Sequence, residues 1–308
     1  MSRFIGRRLL LLFVVLWGVA TIAFLLLHLS GDPASLLLSP DAGPGAMEEL
    51  RKTLGLDAPL AVQYLRFLGG VLRGDFGYSI RQRLPAFGLV IDRLPATLEL
   101  AAAGMLIAIA AGLTLGAVAA VKRGTVQETA ALFLALLGQS VPSFWLALML
   151  ILALGVTLEW LPVSGRGGLS HLILPAVAVS VEPMARIARL LRSSLLEQLE
   201  QDYARTARSK GLTDLAVLTR HVLRNAAIPL VTLVGLDFGR LLGGAVIVET
   251  IFAWPGAGRL AVQAVFQRDF PVVQAAVVVL GFGFVIINLL VDLGYVWLDP
   301  RIRLEARS

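Results

Sequence analysis

Six apolar runs, each about as long as a membrane is thick and parted by polar turns, constrain this chain more than any other feature. After Arg3, Arg7 and Arg8, residues Leu9 to Leu29 are almost uninterruptedly apolar. At 1.5 Å of helical rise per residue such a run reaches across the roughly 30 Å hydrocarbon core. Further runs extend from about Pro95 to Val121, Thr129 to Gly155, from near Ser170, from about Ala226 to Ile251, and from about Val272 to Trp297. Backbone polar groups in lipid must be bonded within their own segment, so runs of this length are expected to be helices. The composition agrees, with 57% hydrophobic and 16% charged residues and a mean hydropathy of +0.81, where soluble domains are usually about 45–50% apolar. The expected fold is an all-α membrane protein with six transmembrane helices. A cleaved signal peptide explains the first run less well, because the run exceeds a signal core and no A-x-A site follows in HLSGDPAS.

Charge supplies the orientation. The amino terminus, the Lys122 turn, the stretch from Glu182 to Asn225 and the carboxyl terminus hold 16 Lys and Arg residues, against 3 in the two short loops of the other side (Arg166, Arg259, Arg268). The long segment before Leu94 counts little, since long segments translocate largely regardless of charge. Both termini are expected in the cytoplasm. The +6 net charge belongs to this asymmetry rather than to nucleic acid, because no aromatic-rich basic module is present. The chain has no cysteine, and its three histidines are far apart in sequence, so no metal site and no thiol chemistry are expected.

Within this frame several residues stand out. Residues 30–94 form a polar segment with an amphipathic stretch, AVQYLRFLGGVL, expected to lie on the membrane face or to pack over the helices. Gly104, Ala108, Gly112, Gly116 and Ala120 recur every four residues on one face of the second run, a spacing that lets helix backbones approach closely in lipid. Gln139, Ser140 and Pro142 interrupt the third run; such a break either lines a pathway or kinks a helix. Trp160 and Pro162 mark the outer interface. Glu182 and Arg186, an i, i+4 pair, precede Arg189 and Arg192 in the fourth run, as interfacial anchors or as a gate or substrate contact. Asp237 and Arg240 lie three apart in the fifth run, where each charge carries an insertion penalty of roughly 2.5–3.5 kcal/mol. They are read as an ion pair holding the bundle, as a contact for a zwitterionic peptide, or as a proton-coupling site. Asp292 sits at an interface.

The polar passage from Glu197 to Pro229 is longer than a connection requires. Acids open it (Glu197, Glu200, Asp202) and bases follow (Arg205, Arg208, Lys210), which suits the macrodipole of a helix over 197–210. Gly211 reads as its stop. Thr213 or Asp214 can cap a second, short helix carrying Leu215, Leu218 and Val222. This passage, with DYARTARSKGL and then H-x-LRNA-x-IP, resembles the cytoplasmic EAA loop of ABC importer membrane subunits. In the general form of that motif Ala207, Gly211 and Leu223 match, while Arg205, Thr206, His221 and Arg224 depart from it. The departures resemble the dipeptide, oligopeptide and nickel permease branch, as do GDFGYSI (74–80), QSVPSFWLALMLILALGVTLEWLPVSG (139–165) and GRLLGGAVIVETIFAWPGAG (239–258).

The resemblance implies a type I ABC importer transmembrane fold with a cytoplasmic coupling helix. Arg205, Thr206, Ala207, Arg208, Gly211, Leu212, Thr213, Asp214 and Leu215 would meet the ATPase, and Gln139, Ser140, Pro142, Glu182, Arg186, Asp237 and Arg240 would be pathway candidates. It divides the chain into residues 1–94, a first helix plus an extracytoplasmic amphipathic segment that receives a binding protein or merely covers the helices, and residues 95–308, the transmembrane domain proper with its EAA-type loop at about 197–229. The implied partners are a second homologous permease subunit, two ATP-binding subunits, an extracytoplasmic substrate-binding protein and the lipid of a bacterial cytoplasmic (inner) membrane. The chain is expected to be no enzyme and to have no catalytic residue. It lacks the G-x-x-x-x-G-K-[ST] phosphate loop, so ATP and Mg are expected on partner subunits and no cofactor on this chain. Short peptides are the expected cargo, with nickel chelates, glutathione or oligosaccharides as alternatives. An ion-coupled secondary transporter using Asp237, Glu182 or Asp292 is the alternative of another class, disfavoured by the EAA-type loop and the absence of a visible inverted repeat. Because the chain is free of cysteine, single substitutions report topology cleanly: Ser164→Cys is expected to react with an impermeant thiol reagent on intact cells, and Ser2→Cys and Ser209→Cys to stay protected. The opposite pattern would invert the orientation.

Overall fold

The computed structural model describes residues 2–29, 45, 47–48, 52 and 57–298, which are helical over most of their length. In chain order α1 is Ser2–Leu29, α2 Leu60–Arg73, α3 Ala86–Val121, α4 Val126–Ser140, and α5 Ser143–Leu150, which widens into π-helical turns over Ile151–Thr157. Then follow α6 Leu169–Leu199, α7 Asp202–Ser209, α8 Asp214–Val217 with π-helical turns over Leu218–Val222, α9 Leu223–Gly244, α10 Val246–Ile251, α11 Ala257–Phe266 and α12 Phe270–Leu298. Among the described residues three helices are long and apolar enough to cross a membrane, Ala86–Val121, Leu169–Leu199 and Phe270–Val291. Two bent pairs join them: Val126–Ser140 with Ser143–Thr157 at 103°, and Leu218–Ala227 with Pro229–Gly244 at 48°.

The chain divides into two compact units, one of Thr97–Trp254 with Ile286–Ser308, the other of Ser2–Ala96 with Pro255–Val285. In the first, α6 packs on α3 along the predicted small-residue face. A Cβ added at Gly112 would lie 2.8 Å from Cβ of Ile187, and one at Gly116 2.9 Å from Cβ of Leu191. Gly104 meets Val179 in the same way, and Ala108 and Ala120 are buried. The partners advance together, from 104 with 179 to 116 with 191, so the two helices run parallel. Glycine here removes the side chain that would hold the backbones apart.

In the second unit the amphipathic stretch is α2, and it packs over α1. The Thr21 and Tyr64 hydroxyls are 2.6 Å apart, and the Phe24 ring lies 5.2 Å from that of Tyr64 and 5.7 Å from that of Phe67. Phe76 continues the contact to Phe67 and Phe87. The GDFGYSI loop is held by the buried Asp269 carboxylate, which accepts from the Ser79 hydroxyl and from the Ile80 N–H at 3.1 Å.

Several boundaries differ from the sequence expectation. The second apolar helix begins at Ala86 rather than Pro95, because a proline forfeits one donor but its fixed φ is helical, and Asp92 and Arg93 in the early turns are exposed. The third run is not one straight rod: Pro142 opens a new helix with its own direction. The expected helix over 197–210 is the end of α6 followed by a separate α7, since Gln201 is extended (ψ 152°). The second helix of the loop is not short, since no glycine or proline lies between Asp214 and Pro229 to end it, and it continues through the π-helical turns into α9. Most of residues 30–56, the side chains of Asp214, Leu215 and Asp292, and Arg301, Arg303 and Arg307 lie outside the described residues.

If the α3–α6 seam depends on glycine, Gly112→Ala must displace Ile187 or the α6 backbone, a cost of about 1–3 kcal/mol. At Gly243 an added Cβ meets nothing within 4 Å, so Gly243→Ala leaves stability unchanged or raises it by up to about 1 kcal/mol. Thermal unfolding in detergent, followed by tryptophan fluorescence, checks this; a Gly112→Ala midpoint equal to that of the parent would refute the seam.

Candidate functional site

The loop between α6 and α9 is built from its turn outward. Gly211 has φ +84°, a left-handed conformation that costs glycine nothing and other residues roughly 1–2 kcal/mol. Its N–H donates to the Arg208 carbonyl at 2.9 Å and the Leu212 N–H to the Ala207 carbonyl at 3.3 Å, the pair of bonds that closes a helix end through a Schellman turn. Thr213 then caps α8, its hydroxyl accepting from the Ala216 N–H at 3.4 Å. Along α7, Ala204 and Ala207 are buried while Arg205, Thr206 and Arg208 face outward. A small buried face and a basic exposed one suit a helix that rests on its own bundle with its cations outward. The α7 helix is tied back to α6 twice: the Tyr203 hydroxyl donates to Gln198 at 2.7 Å, and Arg208 Nη1 to the Leu199 carbonyl at 3.4 Å.

Three further ion contacts surround this loop or the spans above it. At the start of α4, Glu128 accepts from the Gly124 N–H at 2.6 Å and from Arg192 Nε of α6 at 3.0 Å. Arg123 pairs with Glu200 at 3.3 Å, just before α7. In the loop before α6, Arg166 pairs with Glu99 and stands 5.9 Å from the Trp254 ring centroid.

Higher in the bundle, four charges from α6 and α9 form a series. Asp237 is wholly inaccessible, and both its oxygens are used: Oδ2 accepts from Arg186 Nε at 3.0 Å and Oδ1 from Arg240 Nη1 at 3.3 Å. Arg186, with 20% of its side chain accessible, also donates through Nη1 to Glu182. The outer members remain open, Glu182 at 62% and Arg240 at 61% accessible. Charge alternates along the series, each group lies beside an opposite one, and the sum is zero. Two exposed charges within membrane-length helices cannot face lipid without the penalty noted above.

The break after α4 lies at the same height along α6. A Cβ at Gly138 would come within 2.8 Å of Val181 and 3.2 Å of Met184, the residues that bracket Glu182 and Pro183. Gln139, Ser140 and Pro142 are exposed there, and the Ser140 hydroxyl returns its hydrogen bond to the Leu136 carbonyl at 2.9 Å. Arg186 is thus drawn together with Glu182, Asp237 and Arg240. Arg192 stands apart, paired with Glu128. Nothing in the sequence analysis marks Glu128, Glu249 or Asp269. Glu249 of α10 is buried and accepts from the Thr97 hydroxyl at 2.7 Å; a lone acid in an apolar run was the available signal.

Removing the Asp237 charge takes from the mostly buried Arg186 its inner partner, leaving it only the exposed Glu182, whereas removing Arg240 takes away a largely solvated group. Asp237→Asn is therefore expected to cost about 3–5 kcal/mol and Arg240→Gln no more than about 1 kcal/mol, measured as loss of thermal stability in detergent. Equal losses would show that Arg240 is as structural as Asp237.

Known proteins bear on this arrangement. The family model described as binding-protein-dependent transport system inner membrane component matches residues 112–304, and its companion for the N-terminal part of such membrane components matches residues 1–101. The dipeptide transport system permease protein DppB of Escherichia coli K12 is 40% identical over 98% of this chain and 99% of its own length. A putative peptide transport system permease protein of Brucella abortus is 43% identical, covering 99% of this chain and 100% of its own. The glutathione transport system permease protein GsiC of Salmonella paratyphi A is 42% identical over 98% and 99%. A solved structure of the MetNI methionine ABC transporter in an inward-facing conformation superposes with a TM-score of 0.55 at 19% identity, covering 68% of this chain and 96% of that one, a likeness of fold.

Proposed function

Since the chain belongs to the binding-protein-dependent transport system inner membrane components, multi-pass transport subunits of the cytoplasmic membrane rather than enzymes, we propose that it forms, with a second related permease subunit, the path by which an ABC importer takes up short peptides. The near full-length similarity to peptide permeases carries this reading. Glutathione is itself a short peptide, so the similar match to that permease stays within the same substrate class. Two ATP-binding subunits, holding ATP and Mg, would dock below, and an extracytoplasmic binding protein would deliver the peptide above.

Six spans with both ends in the cytoplasm fit the helices. The parallel course of α3 and α6 favours exactly one return crossing between them, which the bent α4–α5 pair supplies. With α1, the α8–α9 stretch and α12 the count is six. In this topology α6 descends to α7 on the side where the Lys and Arg residues are concentrated. Residues 1–94 would supply the first crossing and the outer amphipathic cover, and residues 95–308 the core of the translocator.

In the mechanism we propose, α7 with the Gly211 turn and the start of α8 (Arg205 to Leu215) rests on the ATPase. Closure of the ATPases tilts α7, the turn redirects α8, and the spans rock between two states whose balance ATP binding shifts. Gln139, Ser140, Pro142 and the Glu182–Arg186–Asp237–Arg240 series line the pathway. Uptake of labelled dialanine by proteoliposomes holding all subunits and the binding protein tests the reading; no uptake in the presence of ATP would refute it.

Substitution at Gly211 isolates the turn, because an added Cβ there meets nothing within 4 Å and only the backbone is strained. Gly211→Val is expected to assemble but to lose both uptake and ATPase stimulation by loaded binding protein, while Gly211→Asn, whose side chain tolerates the left-handed region, keeps most of both. Normal coupling in the valine variant would remove the turn from the mechanism.

A further inference from the structure

We infer that Glu182 and Arg240, the two open ends of the charge series, form a subsite that receives the peptide as a zwitterion, Glu182 taking its cationic group and Arg240 its anionic one. This rests on the pathway role proposed above and adds to it which charges are fixed and which are offered. The inner pair is committed. Both Asp237 oxygens are occupied within a wholly buried side chain, and Arg186 is engaged through both Nε and Nη1. The outer pair is not. Arg240 spends a single N–H on Asp237, at 3.3 Å, and leaves its other donors to the open side. Glu182 is held through one oxygen and is otherwise accessible.

The inner pair gives the outer pair its selectivity. A lone glutamate and arginine facing one pathway would collapse onto each other. With Arg186 and Asp237 between them, each outer charge has a fixed neighbour of opposite sign and stays in place when a substrate group arrives. Four hydrogen-bonded groups in series keep the two ends on the order of 10 Å apart. That is the length of two to four residues of extended chain at about 3.3–3.6 Å each. The series is neutral, so a substrate that is neutral overall enters without leaving an unbalanced charge, and a peptide with one extra charge meets its counterpart at one end only.

Charge-specific uptake tests this. Proteoliposomes with partner subunits and binding protein are given Ala-Ala, Ala-Glu or Ala-Lys, and each rate is divided by that of the parent, so that the preference of the binding protein cancels. Arg240→Gln is expected to lower the ratio for Ala-Glu relative to Ala-Lys by about tenfold, Glu182→Gln to do the reverse, and Arg240→Lys to keep the parental order. Equal ratios for the three peptides, or the same bias in both variants, would overturn the subsite while leaving the permease reading intact. Failure of either variant to assemble with the other subunits would also overturn it, making these charges a subunit contact. Absence of uptake of all three peptides by the parent would overturn both readings.

Discussion

In lipid a leucine gains nothing by hiding from water against another leucine, so helices associate where their backbones come close enough for dense packing or where polar groups bond across them. The α3–α6 seam meets the first condition with Gly104, Gly112 and Gly116 set against Val179, Ile187 and Leu191. The other features of this unit hang on α6. It carries Glu182 and Arg186 toward α9 and Arg192 toward α4, and its last turn supports α7 through Gln198 and Leu199. One helix therefore connects the charged series in the bundle with the Gly211 loop, the part of the chain proposed to dock on an ATPase.

The charged residues of α6 divide by depth. Toward the carboxyl end of α6 Arg192 closes on Glu128 and the Gly124 turn, a contact that fixes where α4 begins. In mid-bundle Arg186 is shared between a buried carboxylate and an exposed one. An arginine suits both places, because its planar fork serves two acceptors at once and it stays ionised when partly desolvated. A lysine at 186 would supply one point charge where the series uses two separated donors.

The sequence made the membrane class, the small-residue face and the Gly211 stop legible, since each rests on local chemistry: apolar length, a spacing of four, and a left-handed turn. It also singled out Asp237 and Arg240, because two charges three residues apart in an apolar run are conspicuous. It did not reveal Arg186 as their third member. That pairing joins residues 51 positions apart, and the near neighbour Glu182 offered a complete local explanation. Polarity alone marks helix ends poorly. Asp92 and Arg93 sit on a helix begun at Ala86, and the polar stretch after Asp214 continues into α9 without interruption. Exposed polar residues are as compatible with a helix as with a loop, and only a turn residue such as Gly211 or Gly124 distinguishes the two. The Asp269 clamp on the Ser79 loop was invisible for the same reason as Arg186, being a contact across 190 positions.

The uninterrupted course from Asp214 through the π-helical turns to Gly244 has a mechanical consequence. Its 31 residues make an arm of roughly 45 Å along the helix path, bent by 48° near Pro229, and in the proposed mechanism the Thr213 cap would be its pivot. Rotation of about 5° at the pivot carries the far end through a few ångströms, comparable to the width of a peptide backbone. In the proposed mechanism such gearing would need no large movement of the ATPase: a small stroke would be amplified by leverage alone, and the elbow at Pro229 would set how much of it arrives as tilt and how much as sideways displacement.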